Sequence, residues 1–468
     1  MKTIQLLFLL IFLSAISMAQ EKVPERFNQD IFFKLVKENH PIAVQANMRI
    51  EMGLARIQEA RGGFDPKIQA EVAQKYFKGK EYYDYGVGKL KIPTWFGVEL
   101  EGGYERNQGE FLNPESSVPS AGLWFAGVSV SVGEGLFIDE RRASLRIAQA
   151  MMDLNQAEKD LMMNDLLLDA GVAYWNWFKA YYSLQVNQEA LQLANQRFIA
   201  VKQSAAFGDI PTIDTLESGI QFQNRRLNLN QAELDYKNAT AFINTFLWED
   251  GLVPLELPTN TVPNEFEPEK LAAENLKITL QLDSSLNAHP EIRANMSKNE
   301  QLSIEKRWVR EQIKPTLDLK YKPITEAVGD NPFSEYSINN YTWGMQFEFP
   351  IFVRKERAKL KQIDLKLQSN QIDLENKRVG LAFKATAAMN VFETTMLQIR
   401  LYRQTVSDYG ALLEGERQLF NGGESSLFMI NSREIGFINA ELKMVELVTK
   451  NRLAILKIQH AIGQLANE

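Results

Sequence analysis

The side chains that could carry out chemistry are few, and their spacing does not form a catalytic site. The chain has no cysteine and three histidines, His40, His289 and His460, whose positions do not follow a metal-ligand spacing. His40 and His289 each precede a proline, where the backbone is restricted to extended conformations and a helix ends. We therefore interpret them as structural residues and predict no metal ligand and no cofactor.

Three other patterns favour structure over catalysis. Gly86–Lys89 resembles part of a phosphate-binding loop, but Leu90 stands where that motif needs a hydroxyl group. Glu99, Glu101 and Glu105 could pair as hydrolase carboxylates, yet the same spacing on a strand gives a solvated polar wall. A helical segment also carries an aromatic cluster that we expect to pack in a core: Tyr174, Trp175, Trp177, Tyr181 and Tyr182. Without a nucleophile–base pair, the sequence predicts a protein that is not an enzyme.

The N-terminus has the pattern of a secretory signal peptide. Lys2 precedes an apolar run, and Ser17-Met18-Ala19 provides small residues for cleavage before Gln20. Without cysteine, the exported chain would have neither disulfides nor a lipid on an N-terminal cysteine. The sequence has 52 basic and 59 acidic side chains and no basic tract, which argues against a nucleic-acid partner.

The sequence contains one structural plan twice. His40-Pro41 recurs as His289-Pro290, and Gly208-Asp209 recurs as Gly423-Glu424. A duplicated plan of this kind determines the fold, so it is considered before any single element. We predict a signal peptide over 1–19 and a proline-rich linker over 254–272. The first repeat covers 20–253, with strands at about 67–132 and a helical hairpin over 138–248. The second repeat covers 273–468, with strands at about 316–349 and a helical hairpin over 353–465.

The long helical segments carry two apolar rows on nearly opposite faces. One row contains Ile220 and Leu227, and the other, displaced by two residues, contains Phe222 and Leu229. Two rows mean that each helix packs between two neighbours. Taken alone, the rows fit a ring of helices and a large antiparallel bundle equally well. The matching lengths of the long helix and of the shorter ones placed end to end favour the ring.

The segments before each long hairpin alternate between apolar and polar residues, as strands do. Val128 and Val130 alternate with Ser129 and Ser131, and a weaker alternating segment lies around 82–90. Alternation alone would favour a soluble sandwich. The signal peptide and the lack of apolar membrane helices favour strands of an outer-membrane barrel instead. We count four strands in the first half and two in the second.

The ordered set of motifs resembles the TolC family of outer-membrane efflux proteins over the whole mature sequence. The likeness rests on the duplicated plan, the His-Pro breaks, the strand exits at Leu136-Phe137 and Ile351-Phe352, and the two glycine tips. It implies a membrane β-barrel joined to a long α-helical coiled-coil barrel, closed by trimerisation. It also implies docking to a periplasmic adaptor protein and an inner-membrane transporter, with outer-membrane lipid around the barrel.

The resemblance also implies the residues of two sites. The hairpin tips, expected to contact the adaptor, are Phe207, Gly208, Asp209, Phe420, Gly422, Gly423 and Glu424. The periplasmic constriction of some relatives corresponds here to Asp214, Glu217, Met429 and Ser432, of which only the first two are acidic. Family barrels typically take four strands per subunit, whereas the first half here carries an extra hairpin within 82–103.

The residues alone leave two other protein classes open. A periplasmic adaptor also contains a helical hairpin, but it has one hairpin inserted in small β-domains, whereas this chain has two hairpins that each follow amphipathic strands. A helical structural protein without a pore would not need those strands. The sequence therefore favours an outer-membrane channel subunit that serves as an exit duct for efflux or secretion.

Overall fold

A computed structural model describes residues 26–266, 286–326 and 337–467. The predicted signal peptide lies outside these residues, as does part of the predicted linker. Within them, no helix is both long and apolar enough to span a membrane. The helices are α1 (Gln29–Asn39), α2 (Pro41–Gly62), α3 (Glu140–Phe207), α4 (Thr212–Asn244), α5 (Pro290–Glu311), α6 (Arg354–Asn421) and α7 (Leu427–Ala461).

The strands are short pairs near the helices and longer strands that share one sheet. They are β1 (Arg26–Phe27), β2 (Lys67–Phe77), β3 (Lys80–Pro93), β4 (Val98–Gln108), β5 (Leu123–Gly133), β6 (Trp248–Glu249), β7 (Val253–Pro254), β8 (Val262–Pro263), β9 (Thr316–Glu326) and β10 (Tyr341–Glu348). The large sheet has six strands in the order β10-β9-β5-β4-β3-β2, all antiparallel. The weak strand expected around 82–90 is therefore real, and it extends over the whole of β3.

The chain forms two compact units, and each contains segments from both halves of the sequence. The helical unit comprises the described residues of 1–46, 160–289 and 380–468. The sheet unit comprises those of 47–159 and 290–379. Because the long helices α3 and α6 contribute to both units, the units do not coincide with the predicted repeats. The division into repeats remains a prediction about the sequence.

The aromatic cluster of α3 packs in the core of the helical unit. Tyr174 and Trp177 are fully buried, and the Tyr174 hydroxyl donates to the carbonyl oxygen of Phe27 at 3.0 Å. Trp175 Nε1 donates to Gln29 Oε1 at 2.6 Å. These bonds satisfy polar atoms that would be costly to bury alone. The expectation that these rings serve packing is confirmed.

The predicted linker is less free than its proline content indicates. In its described part, Leu257, Thr261 and Pro263 are buried, and β8 pairs in parallel with β1. Proline prevents this segment from continuing a helix, but it does not prevent an extended chain from packing. Residues 254–266 therefore belong to the helical unit instead of forming a free connection.

In the sheet unit, one face is apolar and the other is polar. Val128 pairs with Leu100 and Tyr321, while the neighbouring Ser129 pairs with Glu99 and Lys320. Among the described residues, no second sheet covers the apolar face, because the other sheets are two-stranded pairs. Large side chains on this face are exposed, including Ile68 at 85% and Trp343 at 68%. A soluble sandwich, whose core would cover that face, does not describe the observed fold.

Candidate pore and docking sites

The two hairpin tips share one turn geometry. Gly208 and Gly423 have φ angles of +81° and +77°, which favour glycine because other side chains are strained there. The amide of Asp209 donates to the carbonyl of Ser204 at 3.0 Å, and that of Glu424 donates to the carbonyl of Leu419 at 2.9 Å. These bonds satisfy carbonyls at the helix ends. The structure thus places both predicted tips at helix reversals.

The tips differ in how the following helix begins. Ser426 caps α7 by accepting a hydrogen bond from the amide of Met429, whereas Pro211 at the start of α4 offers no side-chain cap. Phe207 is 83% exposed, and the glycines, Asp209 and Glu424 are exposed as well. Phe420, by contrast, packs against a small core that includes Val201, Leu413, Leu427 and Ile430. The candidate docking surface is therefore solvent-accessible, with Phe420 partly withdrawn from it.

The four candidate constriction residues have different surroundings. Asp214 and Met429 are half-buried, and Ser432 is exposed. Within the described chain, the Asp214 carboxylate has no hydrogen-bond or ion-pair partner. Glu217 Oε1 accepts a hydrogen bond from Asn431 Nδ2 at 3.2 Å. The structure thus ties Glu217 to α7, whereas the Asp214 carboxylate is not held by another side chain of the described residues.

Glu217 belongs to a buried cluster that the sequence patterns did not reveal. Asn431 also accepts a hydrogen bond from Arg197 Nη1 at 2.8 Å, and Arg197 forms an ion pair with Glu434. Arg225 is buried beside them, and burial lowers its pKa while the charge of Glu434 opposes that shift. This arginine–glutamate cluster joins α3, α4 and α7 close to the tips. The periodic spacing of apolar residues, on which the sequence analysis of the helices depends, does not predict a cluster of charged residues.

The polar face of the sheet lines a cavity of about 440 Å³ in the sheet unit. Lys91 Nζ lies 2.6 Å from Glu99 Oε2, and Arg141 Nη2 lies 2.6 Å from Glu99 Oε1. Lys322 Nζ lies 2.9 Å from Glu101 Oε1. Two acids of the β4 row, Glu99 and Glu101, are thus paired with basic neighbours. Such paired carboxylates form a hydrated wall instead of a catalytic dyad.

The histidines of the second half lie closer together than their sequence positions indicate. His289 Nε2 lies 3.3 Å from the carbonyl oxygen of His460, and His460 Nε2 lies 2.7 Å from Asp165 Oδ1. His40 packs instead against the rings of Phe246 and Trp248, and burial lowers its pKa. Across the three described ranges, no group of three or more histidine or acidic residues is arranged to hold a metal ion.

Solved structures with the same architecture are outer membrane channels. No protein-family model matches the sequence, and no curated protein matches it either. The fold is similar to the CmeC outer membrane channel of Campylobacter jejuni, with 13% identity, a TM-score of 0.65, and coverage of 96% of this chain and 90% of that one.

Two further channels show the same likeness. The outer membrane protein VceC of Vibrio cholerae is 14% identical with a TM-score of 0.64, covering 93% of this chain and 96% of that chain. The MtrE outer membrane channel of Neisseria gonorrhoeae, solved in its open state, is 14% identical with a TM-score of 0.65, covering 93% and 89%. At these identities the likeness concerns the fold. The chain has the fold of the TolC family of outer membrane channels.

Proposed function

We propose that this protein is the subunit of an outer-membrane exit duct, in which three copies close a pore used for efflux or secretion. The observation that carries the proposal is a sheet with one exposed apolar face, one hydrated face and two unpaired edges. A polar face along a conduit and an apolar face toward lipid are what a membrane barrel requires.

The apolar face has aromatic residues at both ends, as membrane barrels have at their two interfaces. At the end away from the helices, Tyr104 packs against Trp124, and Tyr341 begins β10. At the other end lie exposed rings that include Trp95, Phe96, Phe347 and Phe349. Amphipathic rings prefer the boundary between lipid and water. We infer that outer-membrane lipid surrounds the sheet between these two belts.

The free edges of the sheet require a second copy of the chain. In a single chain, β2 and β10 each pair on one side only. Unpaired backbone groups are costly in lipid because no water can bond to them, so an open sheet cannot remain there. Six antiparallel strands alternate in direction, so β10 of one copy is antiparallel to β2 of the next. Ring closure by identical copies satisfies both edges.

The helices have a matching uncovered surface. On α4, the row containing Ile213, Ile220, Leu227 and Leu234 is exposed, whereas the opposite row packs within the chain and ends at the fully buried Ile243. On α6, Ile372 and Val379 are about 70% exposed, whereas Leu374 and Leu381 are buried. One apolar row thus packs within the chain and the other needs a neighbour. This division favours a ring of helices over a bundle complete in one chain.

The finer features of the proposed duct are its partners and its periplasmic mouth. The exposed tips, with Phe207, Gly208 and Asp209 on one hairpin and Gly422, Gly423 and Glu424 on the other, would contact a periplasmic adaptor protein. An inner-membrane transporter would supply the energy, since the chain itself would act as a passive, non-enzymatic conduit. Asp214 and Glu217 would alternate with Met429 and Ser432 around the mouth.

Native mass measurement in mild detergent and single-channel recording test the proposal. We expect an outer-membrane protein that starts at Gln20, forms a homotrimer and conducts ions. Leu227→Glu should prevent the trimer because it places a charge in an apolar contact, whereas Asn228→Glu, on the exposed polar face of the same helix, should not. Monomeric wild type or absence from the outer membrane would refute the proposed function.

A further inference from the structure

The extra hairpin of the first half is continuous with the rest of the sheet. Register runs without interruption from the Pro93↔Glu99 pair to the Asp84↔Gln108 pair between β3 and β4. Between β2 and β3 it runs from Lys67↔Lys91 to Phe77↔Lys80, with one bulge near Lys75. An insertion that lay outside the wall would leave the sheet at one of these ladders. Both ladders are instead as long as those of the other strands.

The hairpin also keeps the two faces of the sheet in phase. Leu100 on the apolar face pairs with Ile92, and Leu90 in turn pairs with Ile68. On the opposite face, Glu101 pairs with Lys91, and Lys91 pairs with Lys67. Because a slip by one residue would exchange the faces, this register extends the apolar surface to the edge at β2. Strands that projected into water would have no reason to keep that surface.

We propose that all six strands of each subunit form the membrane wall, so that three subunits close a barrel of eighteen strands. This inference rests on the proposed trimer, and it specifies how wide the barrel of that trimer is. With strands about 4.8 Å apart and tilted by about 40°, eighteen strands give a backbone diameter of about 36 Å, against about 24 Å for twelve. The wider wall admits hydrophilic polymers that a twelve-stranded wall excludes.

The lumen formed by this wall does not select strongly for one sign of charge. The polar faces of β2 and β3 carry Lys67, Lys89 and Lys91, which lie beside Glu71 and Glu99. Interleaved charges of both signs leave little net field along the wall. The barrel is therefore expected to select by size, and any charge selectivity of the duct should arise elsewhere.

Cross-linking between subunits tests which strands meet. The chain has no cysteine, so introduced thiols react specifically. We expect the double variant Gln69→Cys (β2) and Gln346→Cys (β10) to form covalent trimers with a short bismaleimide, because both side chains lie on the polar face at the two edges. The matched variant Glu105→Cys (β4) with Gln346→Cys should not. If the second pair links subunits and the first does not, β2 and β3 lie outside the wall.

Polymer partitioning tests the width. Deleting residues 80–108 leaves four strands, and the cut ends lie close together because the amide of Glu110 donates to the carbonyl of Glu81 at 3.3 Å. Polyethylene glycols of graded size, added on the barrel side, should enter the wild-type channel up to a larger size than they enter this variant. Equal size limits would refute the proposal.

The wild-type limit and the cross-links remain informative if the deletion variant fails to fold. If the largest polymer that enters the wild-type channel is one that fits a twelve-stranded barrel, the inference is also refuted. A native trimer whose β4 meets β10 contradicts only the strand count. Absence of a trimer contradicts the proposed function and this inference together.

Discussion

At the scale of single residues, we expect the charges buried between the helices near the tips to have the largest effect on stability. Arg197 and Arg225 share Glu434 as their negative neighbour, and Glu434 is almost fully buried. Removing one partner of a buried ion pair leaves an unpaired charge that cannot reach water. The cluster therefore makes the contact of α3, α4 and α7 sensitive to a single substitution.

Glu434→Gln should lower the free energy of unfolding by on the order of 3 kcal/mol, because two guanidinium groups lose their counter-charge. The measurement is thermal or denaturant unfolding of the purified protein. Glu414→Gln provides the control, since the Glu414 side chain is 61% exposed and its ion pair with Arg417 contributes little. Equal stability of the two variants would show that the cluster is not stabilising.

A half-buried acid of α7 couples stability to pH. Burial raises the pKa of Glu441 to about 7, and the negative charge of Glu189 adds to the shift. A carboxyl group whose pKa is raised in the folded state binds more protons there than in the unfolded state. Its contribution to stability therefore falls as pH rises from about 4.5 to about 7. Above pH 7 the ionised group opposes folding.

Glu441→Gln should raise the unfolding temperature at pH 8 and leave it almost unchanged at pH 5. Melting curves at both pH values measure this. Glu446→Gln is the matched control on the same helix, because a hydrogen bond from Lys443 lowers the pKa of Glu446 and its loss cannot stabilise the protein at pH 8. A wild-type advantage at pH 8 would contradict the assignment.

At the scale of elements, the glycines at the tips and in the helices have opposite roles. Gly208 has a positive φ, and a Cβ there would meet no atom within 4 Å, so only backbone strain opposes a side chain. Gly380 lies inside α6, also with open space around a Cβ, in helical backbone. The same substitution should therefore have opposite signs at the two positions.

Gly208→Ala should destabilise the protein by about 1–2 kcal/mol through left-handed strain. Gly380→Ala should stabilise it by about 0.5–1 kcal/mol through helix propensity. Denaturant titration of both variants checks the difference in sign. If Gly208→Ala is neutral, the first tip must relax to another turn, and its glycine is not required by the reversal.

Much of this arrangement of elements follows from sequence periodicity. The alternation at Val128–Ser131 predicts a two-faced sheet, and the rows at Leu227 and Leu229 predict helices that pack on two sides. Both predictions depend on apolar spacing, which burial enforces directly. The cluster around Glu434 and the pairing of β1 with β8 could not be predicted. They depend on polar or extended residues far apart in sequence, for which periodicity carries no signal.

At the scale of the whole molecule, one chain leaves a consistent set of surfaces without partners. The edges at β2 and β10, the apolar face of the sheet and one row on each of α4 and α6 are all exposed. Lipid suits the face, and identical copies suit the edges and the rows. Assembly in a ring would also bring three copies of each hairpin tip together around one axis.

The mouth of that ring should take its charge selectivity from Asp214. Its carboxylate has no partner in the described chain, whereas Glu217 is held by Asn431, and Glu99 and Glu101 on the sheet pair with lysines. In the proposed trimer, Asp214→Ala would remove three charges from the mouth. The preference for cations should then fall by roughly twofold or more at low salt, because each charge acts across a narrow aqueous opening.

Reversal potentials in a salt gradient measure this change. Ser432→Ala, a neutral substitution at an exposed constriction position, should leave the preference unchanged. Met429→Ala should instead raise the conductance of the closed state, since it shortens an apolar side chain without altering charge. If Asp318→Ala on the sheet changes ion preference and Asp214→Ala does not, the selective constriction lies in the barrel and not at the hairpin tips.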